Sequence, residues 1–166
     1  MENLLSKETV KRVSQKLKEF DNNLNVIVLE STARTAVDAA KSLNTEVGSI
    51  VKSLLLRTKN SFLLCLIAGD KRCSLNKIKK ILNVKDVSMA NADQVKEVTG
   101  FTIGGVSPVG HLNDLNIYID KSLQRFEYVF AAAGHPNTIF KISFTDLQKI
   151  TNGAIEDISE WKIQKF

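Results

Sequence analysis

Ile50-Val51-Lys52-Ser53-Leu54-Leu55-Leu56-Arg57, then Thr58-Lys59-Asn60-Ser61, then Phe62-Leu63-Leu64-Cys65-Leu66-Ile67-Ala68, is the stretch that decides how this chain folds. Two short apolar runs flank a polar linker, which is the pattern of a β-hairpin. Successive strand residues face opposite ways, and here apolar residues stand on both faces. Both strands are therefore expected in the middle of a sheet, covered on either side. Lys52 breaks the pattern. It shares a face with Ile50, Leu54 and Leu56, and an ammonium there is costly to bury unless something polar or anionic meets it. The bland alternative is an edge position from which the long stem carries the charge to water.

Working outward toward residue 1, Thr35 and Asp38 fit the Ser/Thr-x-x-Asp/Glu pattern of a helix start. Ala36, Ala39, Ala40 and Leu43 form its packed face, and Asn44 is a left-handed cap. Val26-Ile27-Val28-Leu29 reads as a short buried strand. Ser6 is expected to cap a helix running to about Phe20, with Val10, Val13, Leu17 and Phe20 at helical spacing. In the other direction, Leu75, Ile78, Ile81 and Leu82 make one helix face, with Lys77 and Lys80 pointing away. Asn91 starts a further helix through Val98, closed by Gly100. Residues 116–119, 128–132 and 138–143 read as strands, and 146–150 as a last helix begun near Thr145. The expectation is a mixed α/β fold, with a largely antiparallel, barrel-like sheet and helices outside, forming one domain over 1–166.

The 166 residues are 43% apolar and 25% charged, an ordinary globular mix. The longest apolar run, residues 62–68, is far short of the ~18–20 residues of a membrane span. Residues 1–7 do not read as a secretory signal, and two cysteines make no disulfide scaffold. A soluble cytoplasmic protein is expected. Cys65 reads as core and Cys73 as structural or surface. Lys plus Arg outnumber Asp plus Glu by 23 to 18, for a net charge of +5, which favours polyanionic partners such as RNA. The densest basic stretch is Lys71-Arg72 with Lys77, Lys79, Lys80 and Lys85. It has no interleaved aromatics, so it would hold phosphates rather than stack bases.

Two glycine-containing loops carry the remaining chemistry. Gly104-Gly105-Val106-Ser107-Pro108-Val109-Gly110-His111 can bring backbone N–H groups to a ligand, and Gly134-His135-Pro136-Asn137 sets a histidine between two strands. Taken alone, each is also a plain tight connection. The chain's two histidines both lie in these loops, which suggests one shared cleft. No HExxH, CxxC or Gly-x-Ser-x-Gly pattern occurs, so neither a metal, a cofactor nor a covalent serine nucleophile is expected.

In this order the segments Thr35–Ala40, Ile50–Leu54 with Lys52, Gly104–Gly110 and Ala132–Pro136 form a pattern that resembles the YbaK/EbsC family of aminoacyl-tRNA deacylases, related to the editing domain of bacterial prolyl-tRNA synthetase. The resemblance covers about residues 35–143. It implies hydrolysis of the ester joining a wrong amino acid (cysteinyl, alanyl, or seryl and threonyl) to a tRNA, tRNA(Pro) or a related one. A positioned water would do the chemistry, without metal or covalent nucleophile. It also implies that Lys52, Gly104, Gly105 and Pro108 serve catalysis. Ser53, Ser107, His111, Gly134, His135 and Pro136 would hold substrate. The implied partners are the tRNA acceptor end and an aminoacyl-tRNA synthetase, with the oligomeric state open. The alternatives are a non-catalytic tRNA- or synthetase-binding module of the same fold, and a hydrolase of some other small acyl or phosphorylated compound.

Overall fold

The computed structural model describes residues 3–30 and 35–162. In chain order its elements are α1 (Glu8–Phe20), β1 (Val26–Val28), α2 (Ala36–Leu43), β2 (Ile50–Thr58), β3 (Phe62–Ala68), β4 (Lys71–Cys73), α3 (Leu75–Leu82), β5 (Val87–Met89), α4 (Ala92–Thr99), β6 (Asn116–Asp120), β7 (Tyr128–Ala132), β8 (Thr138–Ser143), α5 (Phe144–Thr151), β9 (Ala154–Glu156) and β10 (Ser159–Trp161). Among the described residues no helix is long and apolar enough to cross a membrane.

The hairpin forms as the sequence predicts. β2 and β3 pair antiparallel from Val51↔Ala68 to Arg57↔Phe62 and lie at the middle of an eight-stranded sheet of order β1-β8-β7-β2-β3-β6-β9, with β5 paired to β2 off that path. The mixed α/β class holds. The sheet itself mixes antiparallel ladders with the parallel ladders β2·β7, β3·β6 and β6·β9. Both sheet faces are covered. Val51, Leu55, Leu64 and Leu66 enter the larger core with Val13 and Leu17 of α1 and Phe140. Leu56, Leu63, Cys65 and Ile67 pack on the other face against Ile78 of α3 and Ile158.

Local signals explain most helix ends. The Thr35 hydroxyl accepts from the Asp38 N–H at 3.1 Å, and Asn44 closes α2 at φ 52°. Asn91 and Gln94 form a full capping box, with Gly100 in the left-handed region beyond the helix. Several expectations fail for identifiable reasons. Ser6 belongs to a short 3-10 turn (Leu4–Ser6), and α1 starts after Lys7 without a side-chain cap. Phe20 is exposed. The strand at Val26 is no buried strand: β1 pairs only with β8, and Ile27 and Val28 are largely exposed. Lys77 bonds to Asp157 and to the Ser159 carbonyl instead of pointing away. The three-residue strands β4, β5, β9 and β10 were not expected; they are too short to show a period.

One element of β2 decides where a ligand can enter. On one side β3 accompanies it throughout. On the other side two strands share it: β7 at Ile50 and Val51, and β5 from Leu56 to Thr58. The Leu55 carbonyl accepts from Ala90 N–H at 3.0 Å. In an antiparallel ladder, residues two apart turn their backbone groups to the same side. Ser53 therefore aims its N–H and C=O into the gap where β7 and β5 diverge.

The C-terminal segment is fastened by Asp120, a carboxylate with no exposure. It accepts from Ile158 N–H at 2.9 Å, the Ser159 hydroxyl at 2.7 Å, Ser122 N–H at 3.1 Å and the Ser122 hydroxyl. Replacing Asp120 by Ala strands those donors in the interior. The variant is expected to lose about 2–3 kcal/mol of stability, measured by urea unfolding.

Candidate active site

The gap beside β2 opens into a cavity of about 430 Å³. Ser53 and Leu54 form its floor, Ala36 and Ala39 of α2 one wall, Met89 and Ala90 another, and Ile103, Gly104 and Pro136 its roof. The lining is mainly apolar, with Lys52 and Lys162 as its cations. Such a surface suits a small organic group with a few fixed polar contacts.

Lys52 is half-buried on the face it shares with Leu54, and its amine donates to the Lys71 carbonyl. Lys162 donates to the Gly69 carbonyl at 3.1 Å. Backbone oxygens of one short segment thus hold two ammonium groups near the cavity. Burial pulls the Lys52 amine below the ordinary lysine value, and the Lys162 charge adds to the effect; Cys73 and Asp70 oppose it. Asp70 does not pair with Lys52. It is gripped by both terminal nitrogens of Arg125, at 2.9 and 2.8 Å, and these bonds hold its carboxyl below the ordinary range. Among the described residues no carboxylate lies within ion-pair distance of Lys52.

Ser53 lies on the opposite face of the strand from Lys52. Its hydroxyl oxygen is buried and has no hydrogen-bond partner, an exception shared among the described residues only by Ser88, which lies outside the cavity. A buried polar atom without a partner is costly to the fold.

The two glycine loops do meet. A Cβ on Gly105 would stand 3.0 Å from the His135 backbone, and one on Gly104 3.6 Å from the Pro136 ring. Gly134 lies against α1 at φ 100°, where a Cβ would come within 2.7 Å of the Thr9 carbonyl. Glycine is thus required at Gly134 by conformation and by the approach of the helix. The remaining predicted residues stand behind the cavity. Ser107 and Pro108 are buried, and the Ser107 hydroxyl accepts from Val109 N–H at 3.2 Å. His111 Nε2 donates to the Ser107 carbonyl at 2.6 Å, and its ring meets Phe101 edge-on. His135 Nδ1 accepts from Asn137 N–H at 3.0 Å. Lys52, Ser53, Gly104 and Pro136 therefore line the cavity, while Gly105, Ser107, Pro108, His111, Gly134 and His135 build its roof from outside.

Sequence reasoning missed Arg12. Its Nε donates to the Gly110 carbonyl at 3.0 Å, its NH2 nitrogen reaches the Thr99 carbonyl at 3.4 Å, and its guanidinium lies 4.8 Å from the Phe101 ring centre. One α1 side chain thus clamps the glycine loop to the end of α4. No motif marks an arginine on a helix face for that task. Lys162, at the far end of the chain, was equally unreadable.

A mixed sheet split at one strand's edge, with an apolar cavity and a cationic end, defines a protein that holds and positions a small group. The chain belongs to the aminoacyl-tRNA editing domain family, whose profile matches residues 30–150. It is 29% identical to YwhH of Bacillus subtilis over 86% of this chain and 91% of YwhH. It is 26% identical to EbsC of Enterococcus faecalis, a candidate Cys-tRNA(Pro)/Cys-tRNA(Cys) deacylase, over 75% of this chain and 77% of EbsC. It also matches, at 27% identity, 23% of the length of the proline–tRNA ligase of Caldicellulosiruptor saccharolyticus. A solved candidate trans-editing enzyme for prolyl tRNA synthetase superposes with TM-score 0.88 at 34% identity, covering 93% of this chain and 98% of that one.

His111 gives the site a measurable pH signature. Burial and the nearby Arg12 charge lower its pKa, against the Ser107 bond that raises it. As pH falls below the ordinary histidine value of about 6.5, the unfolded chain takes up the proton first, so stability falls. Urea midpoints between pH 7.5 and 5 are expected to drop less steeply in His111→Gln, which keeps a donor toward Ser107 but does not titrate.

Proposed function

We propose that this chain is an aminoacyl-tRNA deacylase that hydrolyses the ester between a small, wrongly attached amino acid and the terminal ribose of a tRNA. The observation that carries the reading is the junction at β2. There Lys52 and Ser53, neighbours on opposite faces of β2, line one cavity with Gly104 and Pro136, at the stretch of β2 that neither β7 nor β5 pairs. The whole described chain would act as one editing domain, in the cytoplasm, on the acceptor end of a tRNA such as tRNA(Pro), with an aminoacyl-tRNA synthetase as a further partner.

An aminoacyl ester is already activated. Water adds to the acyl carbon, the carbon–oxygen bond to ribose breaks, and the ribose oxygen leaves with a proton as the amino acid is released. No covalent intermediate is required. Precise placement of ester and water, and donors aimed at the developing oxyanion, supply the acceleration. In this reading the Lys52 ammonium anchors the terminal nucleotide phosphate or the acyl oxygen. The Ser53 N–H and the loop around Gly104 offer donors to the oxyanion. The apolar walls take the acyl side chain, and a rotation of the Ser53 side chain that turns its buried, unmatched hydroxyl toward the cavity would favour a side chain that can hydrogen-bond, such as cysteinyl, seryl or threonyl, over alanyl.

The test is a panel of cysteinyl-, seryl-, threonyl- and alanyl-tRNA. At least one is expected to be hydrolysed well above its spontaneous rate. Lys52→Ala is expected to lose roughly 100-fold or more, as for removal of one strong electrostatic contact. Ser53→Ala should shift the ratio of polar to alanyl substrates by roughly ten-fold. A panel with no enhanced hydrolysis, or full activity in Lys52→Ala, refutes the reading.

The lowered Lys52 pKa adds a pH dependence. If the charged amine is the working form, kcat/KM corrected for spontaneous hydrolysis falls on an alkaline limb that begins below the ordinary lysine value of about 10.4. A rate that keeps rising through that value contradicts the role.

A further inference from the structure

The chain has one tryptophan, and Trp161 stands 60% exposed at the end of β10. The β10–β4 ladder sets it opposite Lys71. Two cations lie over its ring: the Lys71 amine at 4.4 Å and the Arg125 guanidinium at 5.3 Å from its centre. The ring borders a second, open cavity of about 650 Å³, into which Lys77, Lys121 and Gln124 also project. The carboxylates of this face are engaged elsewhere: Asp120 in its buried bonds, Asp157 with Lys77, Glu160 with Arg72, and Asp70 with Arg125. Among the described residues Lys71 and Lys121 have no carboxylate within ion-pair distance.

This surface is joined to the cavity beside β2. The carbonyl of Lys71 receives the Lys52 amine. Lys162, which follows Trp161, lines the first cavity and bonds to the Gly69 carbonyl. The β4–β10 ribbon lines the second cavity and is tied to the first at two points, the Lys71 carbonyl that holds the Lys52 amine and Lys162 just beyond β10. Read along the sequence, the Lys71–Lys85 cluster lacks any aromatic; the fold supplies one from the far end of the chain.

We propose that Trp161 is a stacking platform for a base of the single-stranded RNA that leads to the esterified nucleotide, with Lys71 and Lys121 meeting its phosphates. A positively charged groove combined with an exposed aromatic is how proteins hold single strands without reading their sequence. The Arg125 guanidinium over the ring is a further plane on which a base can lie. The inference rests on the tRNA-editing reading and extends it. The acylated end enters the cavity beside β2, and the preceding nucleotides cross the β4–β10 ribbon.

Because Trp161 is the chain's single tryptophan, its fluorescence reports on this ring alone. The full-length protein is titrated with uncharged tRNA, and with the same tRNA lacking its single-stranded 3′ end. Intact tRNA is expected to quench Trp161, and the truncated form is not. Trp161→Ala should bind intact tRNA roughly ten-fold or more weakly, while Trp161→Phe, which keeps a stacking face, recovers most of the loss. Lys71→Ala and Lys121→Ala should each reduce the slope of log affinity against log salt by about 0.7. Circular dichroism checks that each variant is folded. Equal quenching by truncated tRNA, or wild-type affinity in Trp161→Ala, overturns the proposal. The two readings fail separately. With no ester hydrolysis but quenching by intact tRNA alone, the platform stands and the deacylase does not. With hydrolysis intact and Trp161→Ala binding as the wild type does, the platform alone falls.

Discussion

The structure depends on one unequal sharing of hydrogen bonds. β2 gives its whole length to β3 on one side but divides the other between β7 and β5. Backbone groups left between those two partners cannot be satisfied by the sheet, and unpaired buried groups are costly. A wedge of space at that point has polar backbone at its floor and side chains from α2, β5 and two loops around it. Helices and loops on the periphery then frame the wedge. α2 lies along one wall, and Arg12 of α1 ties down the glycine loop above.

The same constraint explains why a lysine is tolerated in a central strand. At Lys52 the strand turns its side chain toward β4, whose carbonyl at Lys71 accepts the amine. The neighbouring carboxylate of Asp70 is already held by Arg125, so the amine is held by a backbone carbonyl instead of by that carboxylate. A direct ion pair would have spent that charge inside the fold. Carbonyl solvation leaves it available to an anionic or polar ligand, while burial lowers its pKa.

The hairpin, α2, α3, α4 and the strands β6 to β8 were legible in the sequence because each carries a local signal: a period, a cap or a turn. Thr35, Asn44, Asn91 and Gly100 sit where cap chemistry predicts. β4, β5, β9 and β10 were not legible, since their pairing is set by partners far away in sequence. Within the candidate site, Lys52 stood out as a charge on an apolar face, and the two loops stood out by glycine content. Which loop residues reach the cavity could not be read, because Gly104 lines it while Ser107, Pro108 and His111 turn inward. Arg12, Lys162 and Trp161 gave no signal at all. Their positions follow from tertiary packing of the two chain ends on the middle.

The most direct test of this account is a crystal structure with a non-hydrolysable aminoacyl-adenosine, the ester oxygen replaced by an amide nitrogen. The account predicts the acyl group in the cavity beside β2, within hydrogen-bond distance of Ser53 and under Gly104, with the nucleotide toward Lys52. An acyl group bound elsewhere, with that cavity collapsed or filled by protein side chains, contradicts it.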